Sequence, residues 1–206
     1  MNQITLENVK RSYRLYAPLY DKHFGAISEP GRRAMLNSVH SLHPENILEM
    51  GVGTGLTLGR YPLSANVVGV DICEDMLQRA RKRVAHLPNR NIRLLTMDAE
   101  TLNFPDDSFD CVTLPYVLSV TPDPTRLIAE TRRVCRRNGH IIILNHFSGS
   151  KFWWLLEKAV SSMADKVGFR SDFLFSEHIL AHNWQVESVK SVNLFGLSKL
   201  VLIRNV

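Results

Sequence analysis

Cysteine is scarce: only Cys73, Cys111 and Cys135 occur in 206 residues. They are far apart and odd in number, so they build neither a disulfide framework nor a zinc pattern, and reduced, buried thiols are expected. No pair of histidines stands in a His-Glu-x-x-His arrangement, so no metal site is expected. No apolar run approaches the ~20 residues that span a bilayer. The opening "MNQITLENVKRSYRLY" has no signal-peptide core, and the expected location is the cytoplasm. Repeats and low-complexity linkers are also missing. What remains is an ordinary globular composition, 45% hydrophobic and 22% charged, with a formal charge of +5. A mildly basic surface suits an anionic partner without choosing among nucleic acid, a phosphorylated substrate and an acidic membrane.

Residues 44 to 145 alternate short apolar runs with helical patterns. "NILEM", "NVVGVDI", "NIRLLTMD", "FDCVTLPYV" and "HIIILNHF" read as strands. "GLTLGRY" reads as the start of a helix. "CEDMLQRARKRVAHL" reads as a second, because Met76, Leu77, Ala80 and Val84 recur at helical spacing. "PTRLIAETRRVCR" reads as a third, ended by Asn138-Gly139. This rhythm predicts an α/β fold, a parallel sheet covered by helices on both faces. Residues 1 to 43 precede it and look helical. The tail "WQVESVKSVNLFGLSKLVLIRNV" reads as two strands turning near Gly196 and pairing as a hairpin at the sheet edge.

"LEMGVGTG" follows the first strand. In a parallel sheet a ligand sits beyond the carboxyl ends of the strands, where the chain order reverses. Glycines there let backbone approach the ligand closely. The spacing is GxGxG; Leu56 stands where the dehydrogenase fingerprint needs a small residue, and no Gly-Lys-Ser/Thr follows to make a P-loop. Asp71 ends the second strand, 20 residues after Gly51, where a carboxylate can accept from two ribose hydroxyls. "MDAE" ends the third, and its Asp98-Ala99 can meet an adenine edge.

Glu49, Gly51, Gly53, Gly55, Asp71, Asp98-Ala99 and "FPDDSFD" together resemble the class I S-adenosylmethionine-dependent methyltransferases. The resemblance implies a Rossmann-like fold with a mostly parallel seven-stranded sheet and an N-terminal helical lid. It divides one methyltransferase domain into a lid at 1–43, a cofactor-binding core at 44–147, and an acceptor-side helix with the hairpin at 148–206. S-adenosylmethionine is the implied cofactor. Glu49 would lie near its methionine ammonium, the three glycines under methionine and ribose, Asp71 on the ribose and Asp98 on the adenine. Ile72, Met76 and Ala99 complete the implied cofactor set.

"VKRSYRLYAPLYDKHFGAISEPGRR", "MDAETLNFPDDSFDCV", "VTPDP" and "NHF" are similar to the soluble, membrane-associated phosphatidylethanolamine N-methyltransferases of bacteria. That resemblance implies a phospholipid acceptor, an anionic membrane surface as partner, and peripheral association with its inner face. Other acceptors, such as a quinone, a sterol-like molecule or a phosphobase, and a non-catalytic cofactor-binding module are the competing readings. Tyr20 and His146 are candidates to take the proton of the acceptor amine. Tyr16, Tyr20 and Tyr116 could wall a methylated ammonium, Arg32 and Arg33 could hold the lipid phosphate, and Asn145 lies where the headgroup should sit. "TRRVCRRNG" carries four arginines without interleaved aromatics, so it reads as a solvated helix face, and nucleic acid is not an expected partner. Lys10, Arg11 and Arg14, and the apolar face of 152 to 167 with Trp153 and Trp154, are candidate membrane contacts.

Overall fold

The computed structural model describes residues 25–87, 91–146, 184–193 and 196–206. Seven strands form one sheet in the order β3-β2-β1-β4-β5-β7-β6. They are β1 (Asn46–Met50), β2 (Asn66–Asp71), β3 (Ile92–Thr96), β4 (Phe109–Pro115), β5 (Cys135–His146), β6 (Gln185–Val192) and β7 (Ser198–Arg204). The first five pair in parallel, whereas β7 runs antiparallel to both β5 and β6. The C-terminal hairpin is therefore present, with β7 against β5 and β6 at the sheet edge. The chain order reverses between β1 and β4, which places a switch point at their carboxyl ends.

Strand side chains alternate between two cores. Ile47, Cys111, Ile142 and Leu144 share one core with α1 (Glu29–Leu42) and α2 (Glu74–Val84). Leu48, Met50, Val112, Leu114, Ile141 and Ile143 share the other with α3 (Pro124–Val134). Helices thus cover both faces, as the pattern predicts. Within 1–43 the described part is a layer of this core: Met35, Leu36 and Val39 of α1 are essentially closed to solvent, each contributing about 1.5–3 kcal/mol. Residues 1–24, with Tyr16, Tyr20, Lys10, Arg11 and Arg14, lie outside the described residues, as do Trp153, Trp154 and the rest of 147–183.

Two elements differ from expectation. "GLTLGRY" makes one 3₁₀ turn, Leu58–Arg60, in place of a helix. Pro62 forces Tyr61 into extended backbone, ψ 159°, so the turn cannot propagate. The helix expected to run to Asn138-Gly139 ends at Val134, and β5 begins at Cys135. Asn205 explains the early stop. Its Nδ2 donates to the carbonyls of Cys135 (2.6 Å) and Arg132 (3.1 Å), and its backbone accepts from Asn138 N–H and donates to the Gly139 carbonyl. The C-terminal strand thereby takes the carbonyls that another helical turn would have used. Asn205→Ala should lower stability by roughly 1–2 kcal/mol, because buried carbonyls lose their donor; a chemical melt against wild type measures it.

Three of the four arginines are more engaged than a solvated face. Arg133 donates to Glu130, Asp106 and the carbonyls of Leu102 and Phe104. Arg136 pairs with the buried Asp110 at 2.6 Å, and Arg132 lies 5.5 Å from the centroid of the Trp184 ring. These contacts tie the end of α3 to the strands around it.

Candidate active site

The glycine turn after β1 is shaped by left-handed backbone: φ is +70° at Gly51, +54° at Gly53 and +77° at Gly55. A methyl group placed on Gly53 would meet no atom within 4 Å, so this backbone faces an open cleft that a side chain would fill. The N–H of Gly53 donates to Asp71 Oδ2 (2.8 Å), and Cys73 N–H donates to Oδ1 (2.9 Å). Burial pushes the Asp71 carboxyl above its ordinary value, and these backbone donors pull it back. The result is an oriented carboxylate at the end of β2.

The cleft crosses the carboxyl ends of β1 to β4. Gly51, Gly53, Asp71, Ile72 and Met76 line it from one side and Asp98 and Ala99 from the end of β3. Asp98 Oδ1 accepts from Glu100 N–H at 2.9 Å, which fixes its carboxylate. The far wall holds Tyr116, which was expected on the acceptor side, and Val117, Val120, Thr121 and Pro122, which sequence reasoning missed. Their signal was the loop "PYVLSVTPDP" directly after β4. Glu100 was also missed: buried beneath this loop, it accepts from Thr121 Oγ1 (2.5 Å) and Asp123 N–H (2.8 Å) and holds the wall in place. Two carboxylates at the neighbouring ends of β2 and β3, facing an apolar wall over a backbone floor, fit a nucleoside whose hydroxyls and base edge are donors.

Glu49 and Gly55 do not line this cleft. Glu49 is 1% exposed beneath the turn, where Thr57 Oγ1 donates to its carboxylate at 2.6 and 2.7 Å. Burial raises its pKa to about 7, opposed by the hydroxyls of Thr57 and Tyr61 and by the charge of Arg32. Arg32 and Arg33 diverge. Arg32 is buried, donating to the Gly25 carbonyl and to Glu29 Oε2 at 3.2 Å. The Arg33 side chain is 69% exposed. The helical period accounts for this: Arg32 falls in register with Met35, Leu36 and Val39, which face the core.

The acceptor-side candidates come together at the ends of β4 and β5. Tyr116 has φ +61°, a strained conformation for an aromatic residue. Its ring lies 4.9 Å from that of His146, centroid to centroid. His146 Nδ1 is 2.8 Å from Ser198 Oγ and 3.2 Å from the Leu197 carbonyl. Burial pushes its imidazole below the ordinary value. Asn145 is fully buried and donates to the His146 carbonyl at 2.8 Å. Among the described residues no group of three or more His, Cys, Asp or Glu is placed to hold a metal.

An open sheet with this order and a cleft at its switch point defines a Rossmann-like α/β protein. Residues 48–143 match the family model described as a methyltransferase domain. A phosphatidylethanolamine N-methyltransferase of Cereibacter sphaeroides is 40% identical over 170 residues, spanning 82% of this chain and 83% of that one. A demethylmenaquinone methyltransferase of Clavibacter sepedonicus is 34% identical over 113 residues, 54% of this chain and 45% of that one. A solved S-adenosylmethionine-dependent methyltransferase of Thermotoga maritima shares the fold with a TM-score of 0.72 at 20% identity, over 95% of this chain and 99% of that one. A Streptomyces coelicolor geranyl diphosphate C-methyltransferase, solved with S-adenosyl-L-homocysteine, gives a TM-score of 0.66 at 10% identity, over 84% of this chain and 77% of that one. The chain belongs to the class I S-adenosylmethionine-dependent methyltransferases. It is an enzyme that takes S-adenosylmethionine as methyl donor.

Proposed function

We propose that this methyltransferase acts on the headgroup amine of phosphatidylethanolamine, towards phosphatidylcholine, at a membrane surface. The observation that carries the reading is the 40% identity to a phosphatidylethanolamine N-methyltransferase across 82% of the chain, well beyond the part that binds the donor. No helix among the described residues is long and apolar enough to cross a membrane.

S-adenosylmethionine, when bound, supplies a methyl group already activated by its sulfonium. The protein's remaining task is to present an amine lone pair and exclude water. An ammonium with a pKa near ~10 is mostly protonated at neutral pH, which costs roughly 4 kcal/mol against the reactive form. His146, whose ring packs on that of Tyr116 in the cleft wall and whose imidazole burial pushes below its ordinary value, suits the role of proton acceptor. The Tyr116 ring offers a π-face to the more methylated ammonium that each round leaves.

The test is one incubation with methyl-labelled S-adenosylmethionine and anionic vesicles containing both phosphatidylethanolamine and demethylmenaquinone. Label should move into methylated phospholipid, and transfer should fall with added salt as surface charges are screened. Label confined to the quinone would overturn the acceptor.

A further inference from the structure

We propose that Glu100 is a positioning residue for the methyl donor: its main chain fixes the β3 end of the cleft, its side chain fixes the end of the opposite wall, and together they set how tightly the nucleoside of S-adenosylmethionine is held. The inference concerns the donor cleft and does not depend on the identity of the acceptor.

The wall after β4 is anchored in two ways. Its first part is held from below. Leu118 is closed to solvent in the core shared with α3, and Ser119 Oγ donates to Asn145 Oδ1 at 3.3 Å. The N–H groups of Val120 and Thr121 close a turn by donating to the Val117 carbonyl, each at 3.1 Å. Its second part is Thr121-Pro122-Asp123. Pro122 stands in the cleft wall, and a proline has no N–H with which to anchor itself. Both residues flanking it bond to one atom, Glu100 Oε1: Thr121 donates through its hydroxyl at 2.5 Å and Asp123 through its backbone N–H at 2.8 Å. Asp123 then caps α3, its side chain accepting from the N–H groups of Thr125 (3.0 Å) and Arg126 (3.1 Å), as a helix start of this kind requires. Glu100 therefore fixes the end of the wall against the start of a helix.

The other half of the tie lies in the backbone of the same residue. The N–H of Glu100 donates to Asp98 Oδ1 at 2.9 Å, and that of Thr101 to the Asp98 carbonyl at 3.1 Å. Asp98 and Ala99 line the cleft. In the sheet β3 and β4 are separated by β2 and β1, so no ladder joins the segments that leave them, and Glu100 spans the gap. At 7% exposure its carboxylate needs donors to offset lost hydration, and Thr121 and Asp123 supply two. A wall freed at this end binds the donor less tightly although no atom touching the ligand has changed. The apparent affinity falls with the fraction of molecules whose wall is in place.

Calorimetry of the full chain with S-adenosyl-L-homocysteine, and separately with adenosine, tests this without any acceptor. Glu100→Ala should weaken both by about 10-fold. Glu100→Gln keeps an oxygen that can accept both bonds and should hold wild-type affinity. Thr121→Val removes one of the two donors and should lose about 3-fold for both ligands. A folded Glu100→Ala variant with wild-type affinity overturns the proposal. A glutamine variant as weak as alanine also overturns it, because the negative charge and not the acceptor geometry would then be the cause. So does a loss for S-adenosyl-L-homocysteine that adenosine does not share, which would put the effect at the methionine end. If Glu100→Ala fails to fold, Thr121→Val decides: a loss for both ligands supports the tie, and wild-type affinity for both overturns it. Should these affinities behave as stated while phosphatidylethanolamine accepts no methyl group, the acceptor reading fails and the positioning role stands.

Discussion

Asp71→Ala should weaken binding of S-adenosylmethionine by roughly 10- to 100-fold, the loss of charge-assisted hydrogen bonds contributing about 1.5–3 kcal/mol. The carboxylate ends β2 in the cleft, held by the N–H groups of Gly53 and Cys73. Removing it takes away the proposed partner of the ribose hydroxyls and frees the glycine turn that floors the cleft. Asp71→Asn separates the two effects. Its amide keeps the shape but offers only one oxygen to two N–H donors, so the turn loses one bond while an acceptor stays available. Calorimetry should rank the affinities wild type, then Asn, then Ala. A folded Asp71→Ala variant with wild-type affinity would remove the assignment.

Glu49→Gln should stabilise the ligand-free protein above pH 7 by an amount on the order of 3 kcal/mol. The wild-type carboxyl titrates near 4.5 when exposed and at about 7 in the folded chain. Between these values the unfolded state has lost the proton that the native state keeps, so wild-type stability falls as pH rises. The penalty is absent below about pH 4.5 and complete above about 7, and each pKa unit corresponds to about 1.4 kcal/mol. Glutamine cannot ionise, so thermal melts from pH 5 to 8 should show a decline in wild type that is lost in the variant. Equal melts at pH 8 would mean that Glu49 does not carry a buried charge.

The strands were legible because "NILEM", "NVVGVDI" and "HIIILNHF" carry continuous apolar runs between turn residues, and a parallel sheet buried on both faces demands such runs. Asp71 and Asp98 were legible because the fold places each at a strand end. What was not legible depends on distant segments. Asn205 stops α3 from the far end of the chain, and no local signal near Asn138-Gly139 reports it. Asn193 and Ser198 reach Tyr116 and His146 only after β7 inserts beside β5. The divergence of Arg32 and Arg33 was readable, since Arg32, Met35, Leu36 and Val39 share a helical stripe; it was hidden by treating the two neighbours as a pair. Glu49 was expected at the ligand, yet the hydroxyl of Thr57 holds it beneath the glycine turn.

The central claim is that the methyl group lands on the nitrogen of a phospholipid headgroup. Carbon-13 NMR tests it most directly. The protein is incubated with S-adenosylmethionine labelled in its methyl carbon and with phosphatidylethanolamine vesicles, and the extracted lipid is examined. The account predicts N-methyl resonances on the ethanolamine headgroup, growing from the monomethyl form towards choline and much slower to appear at low S-adenosylmethionine when Asp71→Ala replaces wild type. Lipid carrying no label, while a quinone or a water-soluble amine in the same mixture is methylated, would contradict it.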